Sequence, residues 1–263
     1  MAEQLKVSFI GSGNLAWHLA PALDNVGFSV REIYSPNRKH AEALADRTYQ
    51  AEVKQSMDFC ESSSRIFIIA ASDDAINEIA EEIILPEDSF LIHTSGSQPL
   101  SVLRSSGSDN IGSFYPLQTF TKNKKADFKT IPIFIEGSNQ TTEKTMTLMA
   151  KALGCSIKKI SSEDRKALHV AAVFASNFTN HMLMLSKEIL HQNSLSFDLL
   201  KPLITETINK SLTIGPEKTQ TGPAFRSDLE ILDSHMEFLK DDRKTAEIYQ
   251  LISQSIIDAY NSD

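Results

Sequence analysis

Six consecutive residues, Gly11-Ser12-Gly13-Asn14-Leu15-Ala16, carry the clearest chemistry in the chain. The apolar run Val7-Ser8-Phe9-Ile10 leads into them, and Leu15, Leu19 and Leu23 follow at helical spacing. A strand that turns through two glycines into a helix presents free N–H groups, and the positive end of the helix dipole, where a phosphate can sit. The first glycine permits the tight turn, the second lets backbone approach a pyrophosphate, and a small residue at Ala16 lets the helix pack close to the strand. Gly11, Ser12, Gly13, Asn14 and Leu15 are therefore expected to hold a dinucleotide. The bland alternative is a glycine-rich strand-to-helix turn with no ligand.

The end of the second strand decides which dinucleotide. An NAD site places Asp or Glu about 20 residues beyond the glycines, on the ribose hydroxyls. Here the stretch is Tyr34-Ser35-Pro36-Asn37-Arg38-Lys39. It has no carboxylate to repel a 2′-phosphate. Ser35 and Asn37 can hydrogen-bond one, and Arg38 offers a bidentate fork beside Lys39. NADP is favoured over NAD, unless both cations merely decorate an exposed helix.

A second constellation lies far along the chain. His169, Val173, Asn177 and His181 recur at intervals of four residues and so share one helix face. An imidazole can supply the proton that a carbonyl oxygen needs once a hydride has reached its carbon. An amide such as Asn177 can orient that oxygen without changing charge. The competing reading of His169 is a hydrogen-bonded histidine at a domain interface. His18, His40, His191 and His235 do not cluster, and Cys60 and Cys155 fit no zinc spacing or disulfide framework, so no metal site is expected.

Strands are expected at Val7–Ile10, Ser29–Tyr34, Arg65–Ala70, Phe90–His93, Ile111–Phe114 and Ile131–Ile135, alternating with helices in the first part of this pattern. Residues 14–26 form the first helix, Ala41, Leu44 and Ala45 lie on the second, and Ile76, Ile79, Ala80, Ile83 and Ile84 line another. This alternation predicts an α/β doubly wound parallel sheet of the Rossmann type. Asp73 reads as a helix N-cap. From Ser162 to about His191 no proline or glycine occurs, which predicts one long helix capped by Ser161, and further helices over 197–213, 227–239 and 244–260. The domains are thus 1–158 and 159–263, with the boundary among residues 155–161.

The composition sets limits. Of 263 residues 41% are hydrophobic and 23% charged, so a sizeable core is available; a net charge of −8 without a basic run argues against nucleic acid. No apolar run approaches a bilayer span, and Met1–Lys6 lacks the apolar core of a signal peptide, so a cytoplasmic protein is expected.

Taken with Ala71-Ser72-Asp73-Asp74, His93-Thr94-Ser95-Gly96, Phe114-Tyr115-Pro116, His169-Val170-Ala171-Ala172, Ser176-Asn177-Phe178 and Gly222–Asp228, these residues bear a family likeness. The chain resembles the NADP-dependent oxidoreductases that include ketopantoate reductase, pyrroline-5-carboxylate reductase and the β-hydroxyacid dehydrogenases. It is most similar to bacterial proteins that join a Rossmann-like domain to a helical domain of unknown function. The resemblance implies a helical domain like the C-terminal domain of 6-phosphogluconate dehydrogenase and a homodimer formed through it. It implies that Ala71 and Ser72 flank the cofactor ribose, and that the Ser95-Gly96 turn binds a substrate carboxylate, although an ordinary turn has the same composition. It sets His169 and Asn177 where relatives have a lysine and an asparagine beside the nicotinamide. The missing lysine is a departure, with Lys166 as the alternative donor. Tyr115-Pro116 stands where His-Pro is expected. Arg226 is a candidate for the substrate carboxylate, with Asp228 or a partner subunit as competing partners. The function implied is hydride transfer between NADP and a small carbonyl, hydroxyl or imine acid; the alternative is a dinucleotide sensor or scaffold without turnover.

Overall fold

The computed structural model describes residues 5–261. Eight strands form one sheet in the order β3-β2-β1-β4-β5-β6-β7-β8. They are β1 (Lys6–Ile10), β2 (Ser29–Tyr34), β3 (Glu52–Val53), β4 (Ile66–Ile69), β5 (Phe90–His93), β6 (Asn110–Pro116), β7 (Ile133–Gly137) and β8 (Ile157–Lys159). Neighbours run parallel except at β6–β7, which pair antiparallel. The expectation of a parallel sheet therefore holds from β3 to β6 and needs correcting at the far edge. The two shortest strands, β3 and β8, carry too few apolar residues for periodicity to reveal them.

The apolar run Ile66-Phe67-Ile68-Ile69 is wholly buried, and its residues alternate between two cores. Ile66 and Ile68 join Val7, Phe9 and Phe114 on one face, while Phe67 and Ile69 join Ile10, Leu91 and Ile111 on the other. A continuous apolar strand is what a sheet covered on both faces requires. Helices α1 (Asn14–Asn25), α2 (Arg38–Ala45) and α4 (Gln140–Ala152) supply the first core. Helix α3 (Ala75–Glu82) and a 3₁₀ helix over Leu100–Ser106 supply the second. Helix α3 stops at Glu82, because Ile83 is extended and Ile84 bridges to Asp58; the helical pattern had included both isoleucines.

Beyond β8 the chain is helical. Helix α5 (Ser162–Ala172) opens on Ser161, whose hydroxyl accepts the Asp164 N–H, and α6 spans Thr179–Gln192. Between them Val173–Phe178 forms a π-helical turn, so the expected single helix is locally widened, with less rotation per residue. The chain divides into two compact units, 1–177 and 178–263. The second contains α6, α7 (Lys201–Ile214), α8 (Pro216–Thr219), α9 (Leu229–Phe238) and α10 (Arg243–Asn261). Within it Ala224, Leu232, Leu239 and Ala246 are buried, and α6 and α10 line an apolar cavity of about 330 Å³.

Candidate functional site

A cleft of about 790 Å³ opens in the first unit beyond the carboxyl ends of β1, β4, β5 and β6. The turn after β1 forms one wall. Gly11 adopts φ +107°, and a Cβ there would lie 2.3 Å from the Ala70 carbonyl oxygen, so β1 and β4 can approach only around a glycine. Its N–H donates to the Tyr34 carbonyl at 2.8 Å. Gly13 caps α1 without a side-chain hydrogen bond, and the first turn of α1 carries no acidic residue. The leading N–H groups of α1 therefore remain available to an anion. A Cβ on Gly13 would meet nothing closer than the Ala70 oxygen at 3.8 Å. Protein packing accounts for Gly11 and does not by itself require a glycine at 13. Gly11→Ala is accordingly expected to destabilise the first unit by at least about 2 kcal/mol. Gly13→Ala is expected to lower the melting temperature less than Gly11→Ala, by no more than a poorer N-cap costs, while weakening NADPH binding at least tenfold in a fluorescence titration.

At the opposite end of the cleft stand the turn after β5, the end of β6 and one face of α5. Tyr115, the penultimate residue of β6, places its hydroxyl 2.9 Å from His169 Nδ1, and the two rings meet edge to face. Gly96 makes this contact possible: a Cβ on it would lie 2.6 Å from His169 Nδ1 and 2.8 Å from Tyr115 Cζ. Burial, with the nearby Asp73 charge, raises the Tyr115 phenol above its ordinary range, so it stays protonated at neutral pH. Ser95 Oγ accepts the N–H groups of Ser97 and Gln98, both at 3.0 Å, which shapes the turn and leaves its own proton free to donate.

Beneath that turn runs a buried polar row. His93 pairs with Ser113, and Ser113 with Glu136, so the three side chains share one face of the sheet. Arg165 on α5 is completely buried and bonds to the Glu136 carboxylate and, at 2.6 Å, to the Gln98 carbonyl. Ser162 ties the same carboxylate to the Leu100 N–H. Four residues beyond Arg165 comes His169, so this anchor fixes the turn of α5 that faces Gly96. His93 Nδ1 accepts the Ser95 N–H at 3.2 Å. Burial, reinforced by the Arg165 charge, pushes His93 down to about 3. An unfolded histidine titrates near ~6.5, so between that pH and about 3 the unfolded chain binds the extra proton. Stability is expected to be full above pH ~6.5 and to fall by about 1.4 kcal/mol per pH unit below it, a slope that urea titrations of His93→Leu should lack.

A protein of Bacteroides fragilis assigned as an NADP oxidoreductase matches over the whole length: 37% identity, 97% of this chain, 98% of that one, TM-score 0.88. The chain belongs to this NADP oxidoreductase family. Two family models divide it, one described as NADP oxidoreductase, coenzyme F420-dependent, over residues 6–96, the other as a domain of unknown function (DUF2520) over 131–256. A reductive aminase from Aspergillus terreus, solved with NADPH, shares the fold at TM-score 0.71 and 12% identity, covering 98% of this chain and 96% of that one. Pyrroline carboxylate reductase from Plasmodium falciparum, solved with NADP, does so at 0.58 and 15%, covering 97% and 99%. No curated protein matches.

In this oxidoreductase the cleft gathers most of the residues expected from the sequence. Gly11, Ser12, Gly13, Asn14, Leu15, Ser35, Ala71, Ser72, Ser95, Gly96 and His169 all line it. Ser12 and Ser35 share a hydrogen bond of 2.9 Å. Asn37 and Arg38 do not reach the wall: Asn37 caps α2 by accepting the His40 N–H, and Arg38 pairs with Glu42 at 2.7 Å. His40 and Lys122 line the cleft instead. Asn177 is exposed beside a neighbouring cavity of about 420 Å³ that shares Tyr115 and His169 with the cleft. Arg226 belongs to the second unit and forms no ion pair with Asp228 among the described residues. Lys166 is exposed and does not line the cleft. Asp73 does not cap α3. The helix follows Asp74 without a side-chain cap, and Asp73 lies on the cleft wall. Sequence reasoning gave no role to Arg165 or His93; strand register places His93 and helix packing buries Arg165, and neither is written in local spacing.

Proposed function

We propose that this oxidoreductase moves a hydride between NADP and a small carbonyl, hydroxyl or imine acid. The observation that carries the reading is the His169–Tyr115 pair on the wall of the cleft that contains the uncapped glycine turn. Gly13 and the first N–H groups of α1 would receive the pyrophosphate, and Ser35 the 2′-phosphate. Asn37 and Arg38 stay in this proposal because the Arg38–Glu42 pair is exposed, and such pairs contribute only ~0–1 kcal/mol against a change of partner. When bound, the nicotinamide supplies or accepts the hydride.

The chain's own groups handle the proton. Tyr115 can donate its hydroxyl proton to Nδ1 of neutral His169, which fixes the tautomer with its proton on Nε2. When His169 is protonated, Nδ1–H donates to the phenol oxygen instead. Either way His169 exchanges the proton and the phenol holds the ring. The free Ser95 hydroxyl proton and the Gly96 N–H suit a substrate carboxylate, with Arg226 as a further candidate. The wider π turn also helps Asn177. In an α-helix, positions 169 and 177 would be offset by ~80°, and a turn with less rotation per residue removes much of that offset.

The test is NADPH oxidation by purified protein against 2-keto acids, 3-keto acids and cyclic imines, beside a thermal shift with NADPH and NADH. A thermal shift with no turnover on any substrate would replace the reductase with a dinucleotide sensor. The domain assignment, 1–158 for the cofactor and 159–263 for substrate and assembly, is part of the same proposal.

Assembly follows from α7. Leu199, Leu203, Ile208, Leu212 and Ile214 are exposed on or beside it, by up to 81%, on two sides of the helix, with Thr205, Glu206, Asn209 and Thr213 making the polar remainder. Large apolar side chains left this exposed on a helix mark a surface that another surface covers. A second copy of this chain is the proposed cover. Light scattering is expected to give a dimer that Leu203→Asp with Leu212→Asp converts to monomer; an unaltered mass would remove α7 from the interface.

A further inference from the structure

Asp73 is left over by the proton chemistry above. It is half-buried on the cleft wall with Ser95, Gly96, Tyr115 and His169. Its main-chain oxygen accepts the Gln98 amide at 3.2 Å, which ties the segment after β4 to the turn after β5. Its carboxylate forms no ion pair among the described residues. It lines the same cleft as the Tyr115 phenol, whose protonated form its charge helps to favour. The cations nearby are committed elsewhere: Arg165 is buried against Glu136, and Lys122 Nζ sits 4.7 Å from the Trp17 ring centroid.

We infer that Asp73 selects a substrate that is cationic at the reacting atom: an iminium bearing a carboxylate, reduced to the corresponding amine. A negative charge beside the reacting centre stabilises an iminium and opposes the oxyanion that grows when a keto group accepts hydride. It also keeps the imine protonated, because a neighbouring opposite charge favours the charged form. In the step, the C=N carbon gains the hydride from the reduced dinucleotide, and the π pair becomes the nitrogen lone pair. One neutral amine and one oxidised dinucleotide result; His169 supplies the proton that makes the imine an iminium before the hydride moves, and solvent supplies the later one that makes the ammonium. The inference rests on the reductase reading proposed above.

Its test compares Δ1-piperideine-2-carboxylate with 2-oxohexanoate as oxidants of NADPH, in the wild type, Asp73→Asn and Asp73→Ser. The wild type is expected to favour the imine at least a hundredfold in kcat/KM, and both variants to lower that ratio at least tenfold. A preference for the keto acid, or an unchanged ratio in the variants, overturns the inference while leaving the reductase intact. Turnover of neither compound, nor of any substrate in the wider panel, removes both readings. A binding measurement stands apart from turnover: with NADP⁺ present, pipecolate should raise the melting temperature more than tetrahydropyran-2-carboxylate, which has oxygen in place of the ring nitrogen. Loss of that difference in Asp73→Asn supports the inference. A variant that weakens NADP⁺ alone and keeps the difference assigns Asp73 to the cofactor and overturns it.

Discussion

Replacing His169 with alanine is expected to lower kcat by 10²- to 10⁴-fold, the usual contribution of one positioned acid or base. NADPH affinity should change by less than threefold, because the glycine turn lies at the other end of the cleft. Tyr115→Phe should fall between the two: the imidazole remains, but nothing defines which nitrogen carries its proton. A ring held in either tautomer spends part of its time with the wrong face to the substrate. Single-turnover kinetics with saturating NADPH separate these effects from binding. Full-rate turnover by the alanine variant would show that the proton comes from elsewhere.

The second large effect is expected at the Arg165–Glu136 pair. Arg165 has no exposure, whereas the Glu136 side chain keeps 22%. Breaking a buried pair costs ~3–5 kcal/mol because the remaining charge is left without a partner. The partner with no access to water must suffer more, so Glu136→Gln is expected to cost more than Arg165→Met. At ~2–4 °C per kcal/mol for a unit of this size, the melting temperature should fall by about 10 °C in Glu136→Gln. Arg165→Met combined with Glu136→Leu should recover part of the loss, since no charge is then stranded. Both single variants should also lower kcat, because α5 carries His169 one turn beyond the anchor. If Glu136→Gln melts with the wild type, the pair is not what holds α5 to the sheet.

The two catalytic halves of the cleft differed in how visible they were. The glycine turn is a local device: strand, turn and helix are consecutive, so residues 7–23 suffice to reveal it. Ser95 and His169 were found as isolated residues, each with a plain alternative, because nothing in a linear chain says that a turn after one strand meets a helix some seventy residues later. Arg38 shows the converse, a residue whose partner in the structure the composition did not suggest. Its composition suited a 2′-phosphate, but Glu42 lies one helical turn away and takes the guanidinium. Asp73 was read as a cap from its place before a helix, and the helix begins one residue later than that reading needs.

The sequence alone determined the fold class and the glycine turn between β1 and α1, because both depend on short-range patterns: a continuous apolar run for a strand buried on two faces, and two glycines between strand and helix. The tertiary structure decided the rest. Strand register put His93, Ser113 and Glu136 in one row, packing buried Arg165 against them, and the closeness allowed by Gly96 brought His169 to Tyr115. Those outcomes depend on distances between segments remote in the chain, which the balance of packing and desolvation sets and residue order does not record.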